Sequence, residues 1–151
     1  MELKNIFIEP TAKTPQVDFN HFTGELILSG KSIPENAAIL YENVLKWVIE
    51  YVKNPKHTTN LRFSLEYFNT SSAIWIAKIV EALCSIKDSE YTLIIHIYFN
   101  IEEFDNMEVD DIKDALHPIL HMIANPTVSL GIKIYGTNEN GEILKESMVL
   151  V

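Results

Sequence analysis

The sequence predicts an α/β domain of two layers: a mixed β-sheet opened by an N-terminal antiparallel hairpin, with helices mainly on one face. Three observations carry that expectation. Two segments near the N-terminus alternate apolar and polar residues with period two. A strand-like run over residues 61–68 passes directly into a helix-like run and then into a second strand-like run, "YTLIIHIYF". The first of those strands is polar at every second position, at Arg62, Ser64 and Glu66. A sheet covered by helices on both faces calls for apolar residues on both.

The elements follow in order. "TPQVDFN" and "GELILSG", with "HFT" and Gly24 at the turn, read as the antiparallel hairpin. In "KSIPENAAILYENVLKWVIEYVKNP", Ser32 and Glu35 have the spacing of a capping box, and Pro34 falls in a first helical turn, where its missing N–H does no harm. Leu40, Val44, Val48 and Val52 recur at helical spacing until Asn54-Pro55 stops the run. Glu42 and Lys46 are placed to pair on the exposed side. In the strand that follows, Leu61, Phe63, Leu65 and Tyr67 share one face, and a helix over residues 70–87 comes next. Strand–helix–strand at this length implies a parallel pair joined by a right-handed crossover. Beyond it, "NIEEFDNMEVDD" reads as an acidic loop and "DIKDALHPILHMIA" as a helix broken by Pro118. "VSLGIKIY" and "EILKESMVLV", around a turn with Asn140-Gly141, read as a terminal hairpin.

A length of 151 residues fits a single domain with a sizeable core, and a hydrophobic fraction of 47% fits a globular chain. Lys plus Arg number 12 against 21 Asp plus Glu, a formal net charge of −9. Such a surface repels phosphate backbones and anionic lipids, which makes nucleic acid and membranes poor partners. No apolar run is long enough to cross a bilayer, and "MELKNIFIEP" does not read as a signal peptide. The one cysteine, Cys84, has no partner for a disulfide within the chain. A cytoplasmic location is the expectation.

Few residues assemble into catalytic chemistry. His117 and His121 are four apart, with Asp110 and Asp114 continuing the stripe, which suggests a zinc site. Pro118 interrupts that spacing and no zincin-type glutamate lies between the histidines, so a solvated acidic face is the better reading and no metal or other cofactor is expected. A metal-assisted enzyme on those four residues is the alternative of another class. Ser71 and Ser72 stand at a strand-to-helix turn but lack the flanking glycines of a nucleophile elbow.

What stands out is Asn69-Thr70-Ser71-Ser72, four small polar residues where the strand meets the helix. One of them, Asn69 or Thr70, suffices as the cap. The others sit where free helix N–H groups and the helix dipole favour an anion such as phosphate.

The run "FTGELILSGKSIPENAAILYENVLKWVIEYVKNP" followed by "LRFSLEYFNTSSAIWIAKIVEAL" resembles the SiaC family of bacterial regulatory phosphoproteins. Gly24 and Gly30, the stretch Ser32-Ile33-Pro34-Glu35-Asn36 and the stretch Tyr67-Phe68-Asn69-Thr70-Ser71-Ser72 carry the resemblance, which is strongest over residues 1–100. The resemblance implies a fold similar to anti-anti-sigma (STAS) domains and a non-catalytic switch in a biofilm-type partner-switching cascade. It implies a threonine, here Thr70, phosphorylated by a Ser/Thr kinase of histidine-kinase-like fold and dephosphorylated by a PP2C-type phosphatase. The unphosphorylated form would bind a downstream effector such as a diguanylate cyclase; an anti-sigma factor is the alternative target. The partner surface would comprise Ser32, Pro34, Glu35, Asn36, Asn69, Ser71 and Ser72 around Thr70. Residues 101–151 depart from the family pattern as this single domain continues.

Overall fold

The computed structural model describes residues 3–106 and 126–150. One seven-stranded sheet runs through them, its strands in chain order from edge to edge: β1 (Ile6–Ile8), β2 (Gln16–Asn20), β3 (Glu25–Ser32), β4 (Thr58–Phe68), β5 (Thr92–Asn100), β6 (Ser129–Thr137) and β7 (Ile143–Leu150). Pairing is antiparallel at both ends, β1–β2–β3 and β6–β7, and parallel through β3–β4–β5–β6. Parallel neighbours need a crossover. Helix α1 (Ala37–Tyr51) joins β3 to β4, α2 (Thr70–Leu83) joins β4 to β5, and α3 (Ile101–Asn106) follows β5. The sheet is therefore mixed, and the strand of residues 61–68 lies at its centre.

Register decides which side chains share a face. Val17, Leu28, Phe63, Ile97 and Ile134 lie abreast across five strands, and Phe19, Leu26, Leu61, Ile95 and Ile132 form the parallel row. All ten are buried. Onto these rows α1 sets Tyr41, Val44, Trp47, Val48 and Tyr51, and α2 sets Ile76, Ile79, Val80 and Leu83. Each large apolar side chain so buried contributes about 1.5–3 kcal/mol. The two helices also pack against each other, so both occupy one face.

The other face begins one residue out of phase, with Asp18, Ile27, Arg62, His96 and Lys133 abreast. Arg62 donates to Glu25 at 2.7 Å and to the Tyr98 hydroxyl at 2.7 Å, while His96 bridges Asn60 and Tyr135. Polar groups hold this face together, as the alternation in the central strand implies. The side chains of Leu65 and Tyr67, expected on the apolar face, lie outside the described residues.

Several boundaries differ from the sequence expectation. "IFI" forms the three-residue edge strand β1, too short for periodicity to reveal. The second helix ends at Leu83 instead of residue 87, because the Ser85 backbone N–H and hydroxyl both turn back onto the Ala82 carbonyl. The expected acidic loop starts as helix α3, with the Asn100 side chain accepting from the Glu102 N–H at 2.8 Å. The Pro118 helix, with His117, His121, Asp110 and Asp114, lies outside the described residues. The terminal hairpin forms as expected: Asn138 organises its turn and Gly141 takes φ 79°.

Gly24, between β2 and β3, has φ 76°, and a Cβ there would stand 2.6 Å from the Thr58 carbonyl oxygen. Its own carbonyl accepts from the Asn60 N–H at 2.8 Å, which locks the hairpin to the start of β4. Among the described residues, no helix is long and apolar enough to cross a membrane.

Candidate functional site

The polar cluster sits where β4 hands over to α2, directly beside the passage from β3 to α1. β3 and β4 run parallel, so their C-terminal ends lie together and both helices start from the same end of the strands. Between Gly30 and Lys31 the register slips, with β4 supplying one extra residue, and Ser32 then pairs with Phe68. This slip sets the end of β3 against the start of α2.

Asn69 is the cap of α2. Its backbone is extended and its Oδ1 accepts from the Ser72 N–H at 2.9 Å. Its Nδ2 donates to the Pro34 carbonyl at 3.3 Å, and its backbone N–H donates to the Ser32 carbonyl at 2.9 Å. One residue thus caps α2 and ties the cap to the approach of α1.

Beneath it runs a chain of hydroxyls whose direction follows from counting protons. Ser72 Oγ donates to the Ser32 carbonyl at 3.0 Å, which uses its only proton. It then accepts from Ser32 Oγ at 2.8 Å, which uses that proton too. The Tyr41 hydroxyl therefore donates to Ser32 Oγ. Tyr41, Ser32 and Ser72 are all fully buried. Burial pushes the Tyr41 phenol pKa up, so the group stays neutral and able to donate. The chain links α1, β3 and α2 through three side chains that are up to 40 residues apart.

Of the residues expected at the partner surface, the structure divides the set. Thr70, Ser71, Glu35 and Asn36 are exposed, and Asn69 is half-buried. Ser32, Pro34 and Ser72 are buried and face inward. These three stand inside the junction: Ser32 and Ser72 are engaged in the hydroxyl chain, and the Pro34 carbonyl accepts from Asn69. The capping box is corrected. Asn36 caps α1, accepting from the Ala38 N–H at 3.2 Å, while Ser32 ends β3 and Glu35 forms an exposed ion pair with Lys13 at 3.5 Å. Pro34 therefore precedes the helix and does not occupy its first turn.

Tyr41 and Lys13 were not visible as site residues. Tyr41 reads as one more apolar position of α1, and nothing local shows that its hydroxyl meets Ser32. Lys13 accepts the Ile33 N–H on its carbonyl at 2.8 Å and pairs with Glu35, holding the loop over residues 33–36 from the side opposite Asn69.

At the surface, the first N–H groups of a helix point out of its start. Thr70 and Ser71 are exposed there, and Ile74, one turn on from Thr70, is 53% exposed. Elsewhere, the half-buried Cys84 has its thiol pKa pushed up to about 11 by burial, with Glu81 adding to the effect, which suppresses the thiolate a nucleophile needs. Among the described residues no group of His, Cys, Asp and Glu is placed to hold a metal ion.

Fold and site together define a class of small two-layer α/β protein in which a strand–helix junction, tied off from within, offers hydroxyls outward. Residues 8–124 match the SiaC family of regulatory phosphoproteins, and the chain belongs to that family. A curated relative, an uncharacterized protein of Pseudomonas aeruginosa (strain UCBPP-PA14), is 30% identical over 81 residues. That match covers 54% of this chain and spans only 64% of the relative's length. The crystal structure of apo-SiaC from Pseudomonas aeruginosa shares the fold with a TM-score of 0.64 at 20% identity, over 84% of this chain and 98% of that one. A second SiaC structure from that organism gives 0.60 at 25% identity, over 68% and 89%. The complex of the diguanylate cyclase SiaD with its activator SiaC, also from Pseudomonas aeruginosa, gives 0.64 at 21% identity, over 83% and 97%.

Proposed function

We propose that this protein is a non-catalytic phospho-switch of a partner-switching cascade, with Thr70 as its regulatory acceptor. A Ser/Thr kinase of histidine-kinase-like fold loads the phosphate and a PP2C-type phosphatase removes it. The unphosphorylated form binds a downstream effector, by the analogy of SiaC with the diguanylate cyclase that it activates. The observation that carries this reading is the division of labour at the junction. Asn69 supplies the cap, and Ser32, Tyr41 and Ser72 supply the internal ties, so the exposed Thr70 has no share in either. A phosphate there meets helix N–H groups and the positive end of the helix dipole, which lets the modified protein stay folded. At a docked interface the added charge of about −1.5 to −2 is costly.

The effector surface then consists of Thr70 and Ser71 with the exposed Glu35 and Asn36 beside them, supported from below by Asn69, Ser32, Pro34 and Ser72. An anti-sigma factor in place of a cyclase would use the same surface. The experiment is phosphosite mapping by mass spectrometry after incubation with the cognate kinase and ATP. One phosphate on Thr70 is expected, with none on Thr70→Ala and retained effector binding by that variant. A phosphate on Ser71, or continued modification of Thr70→Ala, overturns the assignment.

A further inference from the structure

We infer that Asn69 is a positioning residue that transmits the state of residue 70 to the loop over residues 33–36; the inference rests on the phospho-switch reading above. That loop is clasped from two sides. On one, Lys13 takes the Ile33 N–H at 2.8 Å and pairs with Glu35 at 3.5 Å. On the other, the Asn69 amide donates to the Pro34 carbonyl at 3.3 Å. This second tie is long for an N–H···O bond, whose common length is about 2.9–3.0 Å, so it is the weaker of the amide's two contacts. The stronger is the cap itself, Oδ1 accepting from Ser72 N–H at 2.9 Å.

A phosphate on the neighbouring residue changes what the amide can choose. It offers the Nδ2–H₂ group a charged acceptor, and a charge-assisted hydrogen bond is roughly twice as strong as one to a neutral carbonyl. The NH2 group has a second proton to give, but turning it toward the phosphate draws the first off the already long Pro34 contact, and the loop loses its tie to α2 while keeping the one to Lys13. The Tyr41–Ser32–Ser72 hydroxyls lie below and are already saturated among themselves, so the two helices stay in register while the loop above them loosens. Glu35 and Asn36, both on that loop and both exposed, change position with a modification made on a different helix.

The test places the phosphate directly, by genetically encoded phosphothreonine at position 70, and reads amide hydrogen exchange over residues 31–40. This separates the coupling from the question of which residue the kinase selects, since an encoded phosphate works whether or not a kinase chooses it. In the wild-type chain, phosphate at 70 should raise exchange in this segment about fivefold, the equilibrium factor that one net hydrogen bond supplies. Asn69→Ser keeps a capping oxygen but cannot reach Pro34, so its unmodified form should already show the faster exchange, and phosphate should add less than about twofold. Asn69→Ala, which loses cap and tie together, should in addition lower the melting temperature. Unchanged exchange in wild type on phosphorylation, or wild-type exchange in unmodified Asn69→Ser, overturns the coupling.

Discussion

Each buried hydroxyl at the junction has one proton and spends it on a neighbour, so the members differ in what their loss leaves behind. Tyr41→Phe removes the first donor and leaves Ser32 Oγ still donating to Ser72. It should cost about 1 kcal/mol, one net hydrogen bond. Ser72→Ala leaves the Ser32 proton buried without an acceptor and removes the bond to the Ser32 carbonyl, and should cost about 1–3 kcal/mol, the larger loss of the two in urea denaturation. On the opposite face, His96 is 4% exposed. Its Nε2 lies 2.8 Å from Asn60 Oδ1, an acceptor, and so donates; in the neutral ring Nδ1 then accepts from the Tyr135 hydroxyl at 2.7 Å. Burial lowers its pKa to about 4, with Arg62 and Lys133 reinforcing the shift and Glu25 opposing it. The folded pKa lies below the ordinary value, so this stabilisation is present in full above about pH 6.5 and is lost as pH falls from there through about 4. The loss amounts to at most about 3 kcal/mol. Urea midpoints measured across that window should fall with pH, and His96→Gln should flatten the slope.

Among the elements, those with a clean period are legible in the sequence. The β2–β3 hairpin, α1, β4, α2, β5 and the β6–β7 hairpin all announce themselves by alternation or by helical spacing, and Asn69 was one of two candidate caps. What escaped was non-local. Ser32 with Glu35 satisfies a capping-box pattern, yet the Ser32 hydroxyl is claimed by Tyr41 and Ser72, residues nine and 40 positions away. No window of sequence contains that competition. A local rule also failed where one polar residue sufficed, since Asn100 starts α3 inside a stretch whose acidity reads as loop. Gly24 reads as a turn residue, but its second duty, close approach to the Thr58 carbonyl, appears only once β3 and β4 are paired. Gly24→Ala should therefore cost more than about 2 kcal/mol, from a positive φ and a clash with backbone that cannot yield. Gly131, with nothing within 4 Å of a Cβ, is the control; Gly131→Ala should leave the thermal midpoint close to wild type.

For the whole molecule, the proposed switch must alter recognition without melting its carrier. A phosphate at a helix start contributes about 0.3–1 kcal/mol of favourable dipole interaction. For a chain of this size 1 kcal/mol corresponds to about 2–4 °C, so calorimetry of the Thr70-phosphorylated protein should show a midpoint raised by no more than that. A drop of several degrees would mean that modification acts by unfolding. Thr70→Asp, with one charge and a shorter reach, should reproduce only part of the loss of effector binding. The order of the sheet carries a consequence for how such a protein is made. Every strand lies beside its predecessor in the chain, from β1 to β7. During synthesis, then, each strand leaving the ribosome meets an edge that already exists, and none must be threaded between two placed earlier. N-terminal segments emerge first and can fold first. The nascent protein therefore exposes one growing edge at a time, and the next strand to be translated is the one that covers it.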